Sequence, residues 1–286
     1  MNDYLEVRNL SKSFEGFQLH NITFTLPKGY IMGLIGPNGS GKTTTIKLIL
    51  NMLKRTSGEV KILGFDNIAS EQEAKRNLGV VFDSNYFNDE WKISQVEKSV
   101  SAFYENWNTQ KFSEALKKFH IPPSKKVKEL SKGMQMKLML ACAFSYDAKL
   151  LILDEPTSGL DPVSRDELLK ILSEYIEDGE HSVLFSTHIT GDLERAADYI
   201  TYISYGELFF TGSKDDFVDM FRIVKGGMEE LSDDLKNKAA GIRTFPTGFE
   251  ALMKTEDISG FSNLTVEPAT IDEIVVFTSK KGDDYE

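Results

Sequence analysis

One cysteine in 286 residues, four histidines, and no apolar run approaching the ~20 residues of a membrane-spanning helix set the first limits on this sequence. A lone thiol excludes a disulfide framework. Cys142 sits in an apolar helical run at 138–144, which reads as a small buried side chain rather than a reactive one. The longest apolar runs, 138–144 and 150–153, are too short to cross a bilayer, and Met1, Asn2, Asp3 and Tyr4 lack the basic start of a secretory leader. The chain is therefore expected neither to span a membrane nor to be secreted, and a reducing cytosol suits it. Positive charge is also scarce. Lys and Arg total 33 against 44 Asp and Glu, a formal net charge of −11, which argues against nucleic acid as a partner because phosphate backbones are held by clustered cations. The short basic stretch Lys125, Lys126 and Lys128 reads as a solvated loop. Low-complexity tracts and internal repeats are missing too, and with 41% hydrophobic and 27% charged residues a real core can form.

What is present has the order of an α/β domain. Residues 4–9 and 19–25 alternate apolar and polar side chains, the pattern of half-buried antiparallel strands, and Pro27 and Gly29 end that hairpin. Residues 31–35 form a continuous apolar strand that opens into a glycine-rich turn and then a helix over 43–52. Apolar strands at 150–153 and 182–185, separated by a helix near 164–176, demand a buried parallel sheet and a doubly wound core. Between them, about 84–145 is a helix-rich insert. Ser94 and Glu97 suggest a capping box there, while Phe112, Leu116 and Phe119 share one helix face. From about Gly226 onward short strands, a turn at 245–248 and an amphipathic segment at 271–277 read as a small α+β appendage.

Gly36, Pro37, Asn38, Gly39, Ser40, Gly41, Lys42 and Thr43 fit G-x-x-x-x-G-K-[ST] in the strand–loop–helix context that marks a phosphate loop, with Thr44 next in the helix. Such glycines let backbone N–H groups turn onto a β-phosphate, Lys42 reaches the β/γ oxygens, and Thr43 offers a hydroxyl to Mg²⁺. The apolar strand at 150–153 delivers Asp154 and Glu155 to its carboxyl end, where ligands bind in such sheets. Asp154 is expected to hold Mg²⁺ through water, and Glu155 to act as general base toward the attacking water.

With these residues the chain also has Leu130, Ser131, Lys132, Gly133 and Met134 upstream, Ser158 to Asp161 downstream, and Ser186, Thr187 and His188 after the next strand. Together they resemble an ABC ATPase, matching in order that family's signature motif, D-loop and H-loop over roughly residues 4–215. The resemblance implies a P-loop NTPase (RecA-like) core with an antiparallel β subdomain and a helical subdomain at about 84–145. An ATPase domain at 1–224 would then be followed by an accessory domain at 225–286. It also implies two copies facing head to tail, with ATP between the phosphate loop of one and Ser131 and Gly133 of the other, and Asp161 near the nucleotide. His188 would contact the γ-phosphate or the water near Glu155, and Phe14 takes the place where the family stacks an aromatic ring on adenine, with Phe17 as the nearby competitor. His20, His120 and His181 match no motif and are expected at the surface.

Two departures stand out. LSKGM replaces the usual LSGGQ, so Lys132 adds charge and Met134 removes a polar side chain. Asp83 stands where the family has a glutamine that senses Mg²⁺ and faces the membrane partner; it either joins Thr43 and Asp154 at the metal or caps the turn beside Ser84 and Asn85. The resemblance points to the motor subunit of an exporter at the cytoplasmic face of the membrane. Its partners would be separate transmembrane permease subunits and a second ATPase subunit, identical or paralogous. The tail and signature are similar to ATPases of bacitracin-resistance and phenol-soluble-modulin exporters. A soluble ABC ATPase acting on ribosomes, DNA or Fe–S assembly is the alternative. One phosphate loop, no long heptad insertion and the acidic balance weigh against it, and intact Lys42, Asp154, Glu155 and His188 weigh against a non-catalytic interaction protein.

Overall fold

Alternation in the first 27 residues becomes a long hairpin of β1 (Asp3–Phe14) and β2 (Phe17–Pro27), in which Leu5, Val7, Leu10, Leu19, Ile22, Phe24 and Leu26 are buried on one side. The computed structural model describes residues 3–261 and 263–279; residues 1, 2, 262 and 280–286, the last of these the end of the expected accessory domain, lie outside the described residues. The fully buried β3 (Ile31–Ile35) leads to α1 (Lys42–Ile49), then β4 (Ser57–Ile62), β5 (Phe65–Asp66), α2 (Glu71–Arg76) and β6 (Leu78–Val81). The helix-rich insert holds α3 (Ile93–Ser101), α4 (Thr109–Lys118) and α5 (Lys132–Ser145). Next come β7 (Leu150–Asp154), α6 (Pro162–Ile176), β8 (Ser182–Thr187), α7 (Thr190–Ala196), β9 (Tyr199–Ser204), β10 (Glu207–Ser213) and α8 (Lys214–Asp219).

These strands form one sheet in the order β5-β4-β1-β2-β10-β9-β3-β8-β7-β6. From β9 to β6 every neighbour is parallel, and these near-continuous apolar strands lie between helices; from β5 to β2 the pairing is antiparallel. The carboxyl ends of β3, β7 and β8 therefore meet at one edge, which is where the phosphate loop, Glu155 and His188 emerge.

The remaining chain forms a second sheet, β12-β13-β11-β14, from β11 (Phe221–Gly226), α9 (Asp233–Lys238), β12 (Ala239–Phe245), β13 (Gly248–Lys254), β14 (Thr265–Pro268) and α10 (Ile271–Thr278). The expected boundary at 224/225 falls inside β11. Ile223, Ile271, Ile274 and Phe277 join the buried cluster that also holds Leu193, Tyr202 and Phe217, so this unit shares core with the first.

Three local expectations change. α3 starts two residues earlier than Ser94 and Glu97 suggest: Gln95 Oε1 accepts from Lys92 N at 2.8 Å, while Ile93 N and Ser94 N donate to Lys125 O and Pro123 O. Burial of Ile93 and Val96 and those tertiary acceptors set the start. The helix expected over 43–52 stops at Ile49, with Asn51 in the left-handed region at φ 54°. His181 is buried rather than at the surface; its Nδ1 lies 2.9 Å from Asp178 Oδ1 and its ring 4.6 Å from that of Tyr175, whereas His20 and His120 are exposed. Cys142 is buried, as its apolar surroundings suggest, and burial pushes its thiol up. No helix among the described residues is long and apolar enough to cross a membrane.

Candidate functional site

The turn after β3 relies on glycine at two positions. Gly36, at φ 154°, has no room for a Cβ, which would lie 2.0 Å from Ile203 O; Gly41, at φ 111°, caps α1 where a Cβ would lie 2.7 Å from Leu19 Cδ1. The result aims the N-terminus of α1 into a cavity of about 410 Å³ lined by Asn38 to Thr44, Phe17, Asp83, Glu155, Ser158 and His188. Positive helix-end N–H groups facing a cavity are a seat for phosphate. Within the loop, Ser40 Oγ is buried without a hydrogen-bond partner among the described residues.

Lys42 is only 6% exposed and its Nζ donates to Gly36 O at 2.8 Å and Pro37 O at 3.3 Å. Burial pushes its ammonium below the ordinary lysine value, against the raising pull of Glu155 and Asp154. Glu155 Oε1 lies 3.6 Å from that Nζ, and Glu155 Oε2 lies 2.7 Å from His188 Nδ1. Glu155 itself adopts φ 50°, a conformation costly for a non-glycine residue, held where its N–H donates to Ser186 Oγ at 2.9 Å. Asp154, the last residue of β7, accepts on one oxygen from Thr43 Oγ1 at 3.1 Å and from Ser186 Oγ at 2.7 Å.

The structure thus brings together the phosphate loop, Asp83, Asp154, Glu155 and His188. Asp83 faces the cavity, and the turn beyond it is capped by Asn85, whose Oδ1 accepts from Phe87 N. Other expected site residues lie apart. Phe14 is 43% exposed near the hairpin tip and does not line the cavity; Phe17, its ring centroid 6.3 Å away, does, because β2 runs back toward the loop. Ser131 caps α5, accepting from Met134 N, and Gly133 packs toward Ser164 and Leu160. Asp161 caps α6, accepting from Val163 N, Ser164 N and Ser164 Oγ. The Asp-Pro pair at 161–162, an N-cap followed by proline at the first helical position, carried that signal. Ser186 and Ser158 stand inside the quoted motifs, which give them no role, and Phe17, named only as the competitor to Phe14, is the aromatic residue that lines the cavity.

This geometry has known counterparts. The family model described as "ABC transporter" matches residues 19–158. The ABC transporter ATP-binding protein YtrB of Bacillus subtilis (strain 168) is 32% identical over 71% of this chain and 70% of its own length. The lantibiotic transport ATP-binding protein SrtF of Streptococcus pyogenes is 30% identical over 74% and 91%. A solved structure of an ATP binding subunit of an ABC transporter superimposes with a TM-score of 0.68 at 28% identity, covering 74% of this chain and 91% of that one. A likeness that runs through more than two thirds of both chains, and whose matched residues span the phosphate loop and both carboxylates, makes this chain a member of the ABC transporter family: an ATP-binding, ATP-hydrolysing transporter subunit.

Proposed function

We propose that the chain is the motor of an exporter, acting as a head-to-tail pair on separate transmembrane subunits at the cytoplasmic face of the membrane. The observation that carries this reading is the meeting of Lys42, Glu155 and His188 in one cavity, since an attacking water held by Glu155 would lie beside a phosphate chain held by residues 38–44. Ser131 and Gly133 stand outside that cavity at the N-terminus of α5, so they reach a γ-phosphate only if a second copy supplies them. Asp161 and Phe14 would complete the nucleotide site in that pair.

The oxygen donors suit Mg²⁺. Thr43 and Asp154 already converge, Asp83 faces the same cavity, and a hard cation bound by one or two carboxylates completes its shell with phosphate oxygens and water. When bound, Mg²⁺ would neutralise phosphate charge; Thr43, Asp154 and Asp83 would hold it.

A transmembrane partner is supported by a groove of about 720 Å³ between α2 and residues 103–106, where Phe103 is 85% exposed beside Arg76, Tyr104 and Glu105. Likeness to the lantibiotic transport ATP-binding protein supports a role in transport. The accessory role of residues 225–286 would be regulation or assembly. Light scattering on Glu155→Gln with ATP and Mg²⁺ tests the pairing, with twice the monomer mass expected. Co-purification of a membrane protein from detergent-solubilised cells tests the motor role. A monomer with ATP bound, or co-purification with ribosomes alone, overturns the respective part.

A further inference from the structure

We propose that Asp192 is the positioning residue that holds Glu155 and His188 in mutual register. This inference rests on the reading of Glu155 as general base with His188 as its partner. Asp192 lies on α7 and is 1% exposed, a carboxylate placed where burial is costly unless its oxygens are satisfied. Its Oδ2 accepts from Thr157 Oγ1 at 2.6 Å and from Thr187 Oγ1 at 3.4 Å. Its Oδ1 faces Arg165 Nε at 3.9 Å, too long for a hydrogen bond, and that Nε has no hydrogen-bond partner among the described residues.

The position of the two threonines gives this network its meaning. Thr157 follows Glu155 by two residues and Thr187 precedes His188 by one; both are fully buried. Thr187 Oγ1 also accepts from Ile189 N at 3.0 Å, so one hydroxyl spans the turn that carries His188. Ladder pairing between β7 and β8 ends at Asp154 and Ser186. Beyond that point β7 gives way to a loop while β8 runs one residue further, to Thr187 paired with Ile35 of β3, and the Asp192 carboxylate joins that loop to Thr187 beside the single bond from Glu155 N–H to Ser186 Oγ. An acceptor-only group suits two hydroxyl donors. The 2.7 Å contact between Glu155 and His188 depends on both loops keeping their places, and displacement by about 1 Å can cost a large factor in rate. Asp192 is not among the residues that line the cavity, so its effect runs through the two loops it anchors.

The test uses the full chain and compares wild type with Asp192→Ala, Asp192→Asn and Thr157→Val. Steady-state ATPase, equilibrium binding of a fluorescent ATP analogue and the pH profile of kcat are measured on each. In Asp192→Ala, kcat is expected to fall about tenfold or more while the analogue's Kd stays within about twofold, because residues 38–44 are untouched. The pH profile should shift as His188 loosens from Glu155. Asp192→Asn keeps one acceptor oxygen and should lie between, and Thr157→Val should lose rate in the same direction. Should Asp192→Ala fail to fold, the near-isosteric Thr157→Val and Asp192→Asn decide. An unchanged kcat and pH profile in folded variants, or equal losses of kcat and affinity, overturns the inference. Glu155→Gln in parallel separates the two readings: full turnover there defeats the base assignment, whereas a dead Glu155→Gln beside unaffected Asp192 variants defeats only this one.

Discussion

His188 Nδ1 lies 2.7 Å from Glu155 Oε2, so the imidazole and the carboxylate form a hydrogen-bonded pair at the mouth of the phosphate loop. That bond orients Glu155 while its other oxygen faces Lys42. An amide at position 155 keeps the shape and loses the basic oxygen. Glu155→Gln is therefore expected to bind ATP with unchanged affinity and to turn over about 10²–10⁴-fold more slowly. His188→Ala should also slow turnover, and the double variant should be no slower than the worse single one, because the residues act as a unit. Single-turnover phosphate release checks both statements, and multiplicative losses would refute the unit.

Lys42 supplies a pH signature. Burial lowers its ammonium from the ordinary 10.5, so the unfolded chain binds that proton more tightly than the folded one. The sign follows: the penalty on the charged amine is present in full through neutral pH and is relieved only as pH rises from the depressed value toward 10.5. Wild type without nucleotide should thus gain stability from Lys42 along the alkaline limb, and Lys42→Met should flatten that limb. The same variant should lose the rise in Tm that ATP gives wild type. Thermal melts across the alkaline range, with and without ATP, read both effects.

Much of the site was legible because it is local. An apolar run, a glycine turn and Lys42-Thr43 specify strand, loop and helix within 20 residues, and the run 150–153 predicts where Asp154 and Glu155 emerge. What sequence patterns passed over is tertiary. Burial of His181 depends on Tyr175 and Asp178, and the start of α3 depends on the carbonyls of Pro123 and Lys125. Asp192 looks like an ordinary first-turn acid of a helix until Thr157 is seen 35 residues away in sequence and 2.6 Å away in space. The appendage was legible as strands and a helix, but its docking was not. Thr190 Oγ1 donating to Asp272 Oδ1 and Tyr202 paired with Thr278 join segments 82 and 76 residues apart.

That docking makes Phe277 a probe of cooperativity. Its ring is 3% exposed in the cluster that includes Leu193, Tyr202 and Phe217, and Arg243 lies over its face at 5.2 Å. Phe277→Ala should cost about 3–5 kcal/mol, a cavity-forming loss. Since the cluster spans both sheets, urea unfolding should shift as one transition. Two separated transitions, with the ATP-sensitive one unmoved, would show instead that the appendage melts alone.

Asp83 raises the question of metal dependence. It lines the same cavity as Thr43 and Glu155, with Asp154 hydrogen-bonded to Thr43, so three carboxylates and a triphosphate would share one partly desolvated space. Like charges at such separations repel strongly where water is scarce, and a divalent cation converts the repulsion into attraction. An aspartate is acceptor-only and charged, whereas glutamine is neutral and both donates and accepts. ATP affinity in wild type should therefore fall more steeply on Mg²⁺ removal than in Asp83→Gln, which keeps an oxygen ligand without the charge. Asp83→Ala removes both ligand and charge: it should bind Mg²⁺-free ATP best of the three, yet need more Mg²⁺ to reach half-maximal turnover. Equilibrium binding of ATP with and without chelator, beside a Mg²⁺ titration of ATPase rate, measures the two arms separately. Superimposable curves for the three proteins would mean that Asp83, though it faces the cavity, takes no part in holding the metal.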